Sequence, residues 1–357
     1  MKANYLGILA ISMLLLSGKC QTESLEEDTS AIIIIEQTDE PYRNGYAHGS
    51  QLKMEVSLQI NQWEKGITSE LNITRDSMLA IIYEHSGFLN SIKANTPDLL
   101  QEIYGIADGA QLDRDLVLAY NLGEEIYNFC TANFERCSNI AYSKNGEHHL
   151  AYNQDLPHFL HGNNQIIVLQ HEEYAVFTMP GFIGLSGVGS EIAVSCNSLP
   201  MLRMNKDGLP LSFFIRQIFE LNNPDRAKDW INHTPMAIGQ NLMMLSRKGI
   251  MNVELSLNQI QWTEEESDGF YRHTNFPLEN TDYKNQAYTT PVCKRYAYFQ
   301  NIEDDTEKES NFLRRICTEE PITNDETFLR FIAKYSQNEV VIELINPISN
   351  ANWNTSY

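Results

Sequence analysis

Paired cysteines, basic charge and a second long apolar run are what this chain lacks. It has six cysteines in 357 residues. None forms a CxxC pair or takes zinc-type spacing, which excludes zinc-ribbon and thioredoxin-like readings. Lys and Arg number 26 against 47 Asp and Glu, a net charge of −21. Such acidity repels nucleic acid and anionic membrane surfaces, so neither is an expected partner. Past residue 20 no apolar run approaches the roughly 20 residues that span a bilayer. The glycines between Gly184 and Gly189 do not follow the phosphate-binding pattern and predict a turn. Gly184-Leu185-Ser186-Gly187 is not the GxSxG elbow. His148, His149, His158, His161 and His171 cluster in sequence, but the first two fall on opposite faces of a strand and cannot converge on a metal. No metal and no cofactor is expected.

What remains is globular in composition, with 42% hydrophobic and 20% charged residues, long enough for two ordinary domains or one large one. Residues 1–20 predict an export signal: Lys2 gives a positive start, Leu6 to Leu16 is largely apolar, and Ser17 and Gly18 are small. Leu16-Ser17-Gly18-Lys19-Cys20 also invites a lipoprotein reading with lipid on Cys20, although Lys19 fits that pattern poorly. Residues 21–30 would then be an acidic tether. The expected location is exported: periplasmic, extracellular or lipid-anchored, with contact to a membrane only through Cys20. Export would permit disulfides. With Cys137 set aside as a free thiol, Cys130, Cys196, Cys293 and Cys317 allow three pairings.

Ala31 to Glu36 is a β-branched run that predicts a buried strand. Helical spacing of apolar residues follows over 47–66, 74–94, 97–108 and 113–128, with Thr96-Pro97 as a helix start. The character changes near residue 137. Strands are predicted at 137–143, 147–153, 165–170, 174–179 and 192–196, then at 241–247, 251–257, 269–274 and 339–344. Helices are predicted at 208–221, 224–231, 292–302 and 325–335. Strands and helices alternate in blocks, an α+β pattern that favours stacked layers over a doubly wound parallel sheet.

Cys137 opens a strand, Asn145-Gly146 marks a hairpin, and Asn153-Gln154-Asp155 ends the return strand. With a strict two-residue turn Cys137 faces Gln154, and Asp155 points to the opposite face. A three-residue loop or one bulge puts Asp155 opposite Cys137. We expect that register, because glycine bulges are common beside active sites. The bland alternatives are a turn residue before Pro157 and a buried free cysteine. The chemical reading starts from the thiol. It needs a base or a lowered pKa to attack a carbonyl. If the bond between Arg136 and Cys137 is broken, Cys137 gains an α-amine of reference pKa near ~8 that can take the thiol proton, and no histidine is required.

Several blocks carry a resemblance. They are Tyr42-Arg43-Asn44-Gly45-Tyr46-Ala47-His48-Gly49, Pro97 to Ala110 with Glu102-Ile103-Tyr104-Gly105-Ile106-Ala107-Asp108-Gly109-Ala110, Asp115 to Asn121, Cys137-Ser138, Asn153-Gln154-Asp155, Ile192 to Leu199, and His273-Thr274-Asn275. In order and spacing the chain resembles the penicillin acyltransferase-like cysteine Ntn (N-terminal nucleophile) hydrolases.

The resemblance implies an αββα Ntn fold, with two facing antiparallel sheets flanked by helices. It implies cleavage between Arg136 and Cys137, giving a mostly helical piece from 31–136 that stays as partner to a catalytic core over 137–357. It implies amide chemistry on Cys137. Asp155 would hold the new amine, Asn275 would donate to the oxyanion, and Arg295 corresponds to the family's late Arg near the nucleophile. Asn153 and Asn197 would support the site. The expected activity is hydrolysis of a small linear N-acyl amide. Acyl transfer to an amine is the alternative, and a binding protein with a dead site is a third reading from another class. Two departures stand out: Arg136 replaces the family's usual Gly, and Phe276 replaces a common second His.

Overall fold

The computed structural model describes residues 31–130, 137–263, 270–289, 293–302 and 312–357. The expected export signal, Cys20, the acidic tether and Arg136 lie outside the described residues.

The first part is a strand followed by helices: β1 (Ile32–Glu36), α1 (Pro41–Gln51), α2 (Lys53–Leu71), α3 (Arg75–Tyr83), α4 (Phe88–Asn95), α5 (Pro97–Ala110), α6 (Arg114–Asn121) and α7 (Gly123–Cys130). From Cys137 onward come β2 (Cys137–Lys144), β3 (Glu147–Asp155), β4 (Ile166–Gln170), β5 (Tyr174–Thr178), β6 (Ser186–Gly189), β7 (Ala193–Ser198), α8 (Leu211–Leu221), α9 (Pro224–His233), β8 (Gln240–Ser246), β9 (Gly249–Leu255), β10 (Ile260–Thr263) and β11 (Phe270–His273). The chain closes with α10 (Lys294–Asn301), α11 (Phe312–Thr318), β12 (Thr327–Tyr335), β13 (Val340–Ile345) and β14 (Asn352–Ser356).

The strands form two sheets, ordered β1-β4-β5-β6-β7-β8-β9-β10 and β11-β2-β3-β12-β13-β14. All pairings are antiparallel except β1 with β4. The sheets face each other: β2 meets β7 and β9, and β3 meets β8. Helix α8 covers the outer side of β5 and β6, while α10 and α11 cover β11, β3 and β12. This is the four-layer αββα sandwich that the resemblance implies. Strands with both faces covered read as continuous apolar runs; Ile166-Ile167-Val168-Leu169 is one and is fully buried.

The structure corrects several expectations. Residues 325–335 are expected as a helix from the sequence, and Phe328, Phe331, Ile332 and Tyr335 do recur at helical spacing. They form β12, a central strand between β3 and β13; for a short apolar run, two covered faces outweigh periodicity. The segment 184–189 is not only a turn, since Ser186–Gly189 is β6. Strand β1 lies at a sheet edge and leaves Ile34 exposed, with Ile35 as its one buried residue. No disulfide forms among Cys130, Cys137, Cys196, Cys293 and Cys317. Among the described residues no helix is long and apolar enough to cross a membrane.

The first two motif blocks serve packing. Gly45 and Gly49 of α1 lie against α5, and Gly105 and Gly109 of α5 lie against α1. A Cβ at Gly45 would sit 1.9 Å from the Glu102 carbonyl oxygen, and one at Gly105 would sit 2.2 Å from that of Tyr42. The two backbones touch, and only hydrogen fits between them. Glu102 in turn pairs with Arg216 of α8 at 2.9 Å, both fully buried. Gly45→Ala is therefore expected to destabilise the protein by about 3 kcal/mol, the upper part of the overpacking range. Chemical denaturation of wild type and variant measures this, and an unchanged midpoint would contradict the close approach.

Candidate active site

The Asn145-Gly146 turn has φ values of 55° and 77°. Two successive positive values define the tight hairpin turn whose twist suits antiparallel strands. The register is accordingly strict: Lys144 faces Glu147 and Cys137 faces Gln154. The expected bulge in this hairpin is absent, so Asp155 does not stand opposite Cys137. An irregularity lies one strand further on, between Thr327 and Leu329 of β12.

Cys137 is 7% exposed and is bound on every side. Its backbone N donates to Asn275 Oδ1 at 2.9 Å. Its carbonyl oxygen accepts from Arg295 Nη1. Its sulfur accepts from the Tyr152 hydroxyl at 3.3 Å and lies 4.0 Å from the Asp155 carbonyl oxygen. Arg295, in the first turn of α10, also donates to Ser138 Oγ at 3.0 Å and to Asn275 Oδ1 at 2.9 Å. Asn275 Nδ2 donates to the Ser198 carbonyl at the end of β7, at 3.1 Å. One asparagine thus ties the strand holding the thiol, the guanidinium and the facing sheet.

Asp155 is 1% exposed. Its carboxylate turns toward β12, accepting from Thr327 Oγ1 at 2.7 Å and from Asn324 Nδ2 at 2.8 Å. Burial pushes its pKa up to about 7, with Thr327, Arg295 and Asn324 pulling the other way. Burial and the Asp155 charge push the Cys137 thiol up to about 12, against the Tyr152 hydrogen bond and Arg295. In the uncut chain burial therefore favours the protonated thiol.

The raised Asp155 pKa has a stability consequence. Between its ordinary value of 3.8 and about 7 the folded state binds the proton more tightly than the unfolded state does. The stability this group contributes is fully present below pH 3.8 and is lost as pH rises through about 7. In Cys137→Ala protein, adding Asp155→Asn should flatten the fall in melting temperature across that window. Parallel curves with and without Asp155→Asn would contradict the burial of a titrating carboxyl.

The structure brings Cys137, Asn275 and Arg295 together, with Asp155 beside them through its backbone and its field. Asn153 stands apart: its amide donates to the Cys317 and Ile322 carbonyls at 2.9 and 3.1 Å and accepts from Arg330 at 3.0 Å, tying β3 to the layer outside it. Asn197, on β7, accepts from Asn139 of β2 and links the sheets. Sequence reasoning missed Tyr152 and the contact of Ser138 with Arg295. The signal for Tyr152 was available, since residues two apart on a strand share a face and the strict turn places Gln154 across from Cys137.

A small, mostly apolar cavity of about 30 Å³ lies near the end of β3. Trp63, Tyr120, Phe159, Met179 and Phe182 line it, together with Leu156 and Leu185. Leu156 follows Asp155. The Leu185 carbonyl accepts from the thiol of Cys196, which lies 4.0 Å from the Tyr152 hydroxyl. Helices from before Cys137 and loops from after it build this cavity together.

A model of the acyl-coenzyme A:6-aminopenicillanic acid acyl-transferase family matches residues 142–324. That span starts just after Cys137 and contains Asp155, Asn197, Asn275 and Arg295. No curated protein matches the chain. Among solved structures it is similar to the Caenorhabditis elegans ortholog of N-acylethanolamine-hydrolyzing acid amidase, with 17% identity over 55% of this chain and 92% of that one and a TM-score of 0.44.

Proposed function

The chain belongs to the acyl-coenzyme A:6-aminopenicillanic acid acyl-transferase family, and from that premise we propose that it is an exported, self-processing cysteine amidase. The observation that carries this reading is the convergence on Cys137: Asn275 on its nitrogen, Arg295 on its carbonyl and Tyr152 on its sulfur.

Maturation comes first. The Cys137 sulfur attacks the carbonyl carbon of Arg136, and the C–N bond breaks as the acyl group moves from N to S. Water then releases the Arg136 carboxylate and leaves Cys137 with a free α-amine. That amine replaces a peptide N–H and can accept the thiol proton. Its positive charge, once protonated, also opposes the burial that keeps the thiol neutral. Asp155, a buried carboxyl near the strand end, balances the amine.

In turnover the thiolate attacks the amide carbonyl of a small N-acyl substrate. Asn275 donates its side-chain amide to the oxyanion, the amine departs with the proton, and water hydrolyses the thioester. Acyl transfer is the second reading, favoured by the activity for which the family is described: an amine in place of water would take the acyl group.

Purified protein offered N-acyl amides of graded chain length, with and without an added amine, tests both readings. Release of amine supports hydrolysis. Acylation of the added amine in preference to water supports transfer. A protein that turns over none of them, and whose Cys137 is not labelled preferentially by an iodoacetamide probe, is a binding protein and not an enzyme.

A further inference from the structure

Asn275 sits in a short connection whose two ends are held by one carboxylate. Glu254 lies on β9 of one sheet and His273 at the end of β11 of the other, 1% and 0% exposed. Glu254 Oε1 accepts from His273 Nε2 at 2.7 Å and from the Leu278 backbone N at 2.6 Å. Its Oε2 accepts from the backbone N of Glu279 at 3.0 Å and of Asn280 at 2.7 Å. The other ring nitrogen of His273, Nδ1, lies 2.7 Å from the Thr274 carbonyl oxygen. The chain from 273 to 280 therefore leaves and returns to the same carboxylate, with Asn275 between.

The hydrogen count decides the charge. Three backbone N–H groups need lone pairs on Glu254, and a backbone N–H cannot accept a proton in return. That favours the ionised carboxylate. Both His273 nitrogens then face atoms that only accept, Glu254 Oε1 and the Thr274 carbonyl. Each must carry a hydrogen, which makes the ring an imidazolium. A neutral ring would leave one nitrogen lone pair against an oxygen lone pair in a fully buried place. A buried pair so bonded resists separation, because removing one member strands the other charge.

We infer that Glu254 and His273 form a buried carboxylate–imidazolium pair that bridges the two sheets and positions Asn275 against the Cys137 nitrogen and Arg295. The inference rests on the proposed role of Asn275 at the reacting centre. Neither residue touches the thiol, so both are positioning residues. Burial would raise the Glu254 carboxyl, but its hydrogen bonds and the His273 charge hold it below the ordinary value. Tyr283 and Tyr296 are titratable groups that feel the pair: burial first and then the Glu254 charge raise both phenols, while Arg272 opposes and Glu279 adds to the rise at Tyr296.

The test uses the full chain carrying Cys137→Ala, labelled with nitrogen-15. Both His273 ring nitrogens should carry a hydrogen in the folded protein. In the same background Glu254→Gln should move the Asn275 side-chain amide signals, identified by their disappearance in Asn275→Ala. A neutral His273 ring, or Asn275 signals that stay in place, overturns the inference. If Glu254→Gln does not fold, the ring state alone decides. In catalytically intact protein, Glu254→Gln should lower kcat about 100-fold, the cost of a displacement of about 1 Å near the chemistry, with KM changed less than about threefold. Unchanged kcat also overturns it. If no amide is turned over while the ring is doubly protonated and the Asn275 signals move, the amidase reading fails and the positioning pair stands.

Discussion

Cys137→Ala is expected to yield a folded, uncut and inactive protein. The substitution removes one sulfur from a site already enclosed by β2, β3 and β7, and it takes from Tyr152 only a hydrogen-bond acceptor at 3.3 Å. The cost of that loss is about 1 kcal/mol, small against the burial of the two sheets. The chemical cost is total, because the same atom is proposed to open the chain before 137 and to carry the acyl group. A denaturing gel should show one band where wild type shows two, and N-terminal sequencing of the larger wild-type fragment should begin at Cys137. Turnover of any amide by Cys137→Ala would reduce the residue to a buried cysteine. Cys137→Ser should process slowly, since an alkoxide is harder to form than a thiolate.

Asn275→Ala carries the second largest effect. Loss of one oxyanion donor lowers kcat by roughly 100- to 1,000-fold in comparable sites. Substrate binding should change little, because the oxyanion exists only along the reaction path. The geometry adds a second consequence. Asn275 Oδ1 accepts from both the Cys137 nitrogen and Arg295, so its removal leaves two buried donors without that partner. Processing of the precursor should slow along with turnover. Steady-state kinetics on separately matured protein isolates the first effect, and a time course of precursor cleavage isolates the other. A rise in KM alone would mark Asn275 as a substrate contact and not an oxyanion donor.

These expectations grew from a few legible features, and their limits have physical causes. The hairpin from 137 to 155 was readable because its signal is local: Asn145-Gly146 between two β-rich runs. Its register was misjudged because a bulge was assumed for the sake of Asp155, where the positive φ angles of Asn145 and Gly146 already supply the turn. Strand β12 was mistaken for a helix because its apolar spacing suits both, and only the neighbouring strands β3 and β13 decide. The glycine blocks at 45–49 and 105–109 were readable as motifs, but their purpose, contact between two helix backbones, appears only when α1 and α5 are seen together. Asn275 and Arg295 were reached through resemblance alone; no local signal marks them. Glu254 was unreadable. Its partners lie some twenty residues away, and nothing in Asn252-Val253-Glu254-Leu255 distinguishes a buried anchor from a solvated strand residue.

Strand β1 belongs to the part of the chain before Cys137, yet it is zipped along β4, with Ile32 to Glu36 matching Ile166 to Gln170 residue for residue. If the backbone is opened at 136 as proposed, that ladder and the shared walls of the cavity turn one folding problem into an assembly of two molecules. Refolding then changes from first to second order. The melting midpoint of mature protein should rise with protein concentration, while that of the uncut Cys137→Ala chain should not. Dilution after denaturation would strand the two pieces apart, so the mature protein would be formed readily once, from the precursor, and only with difficulty again.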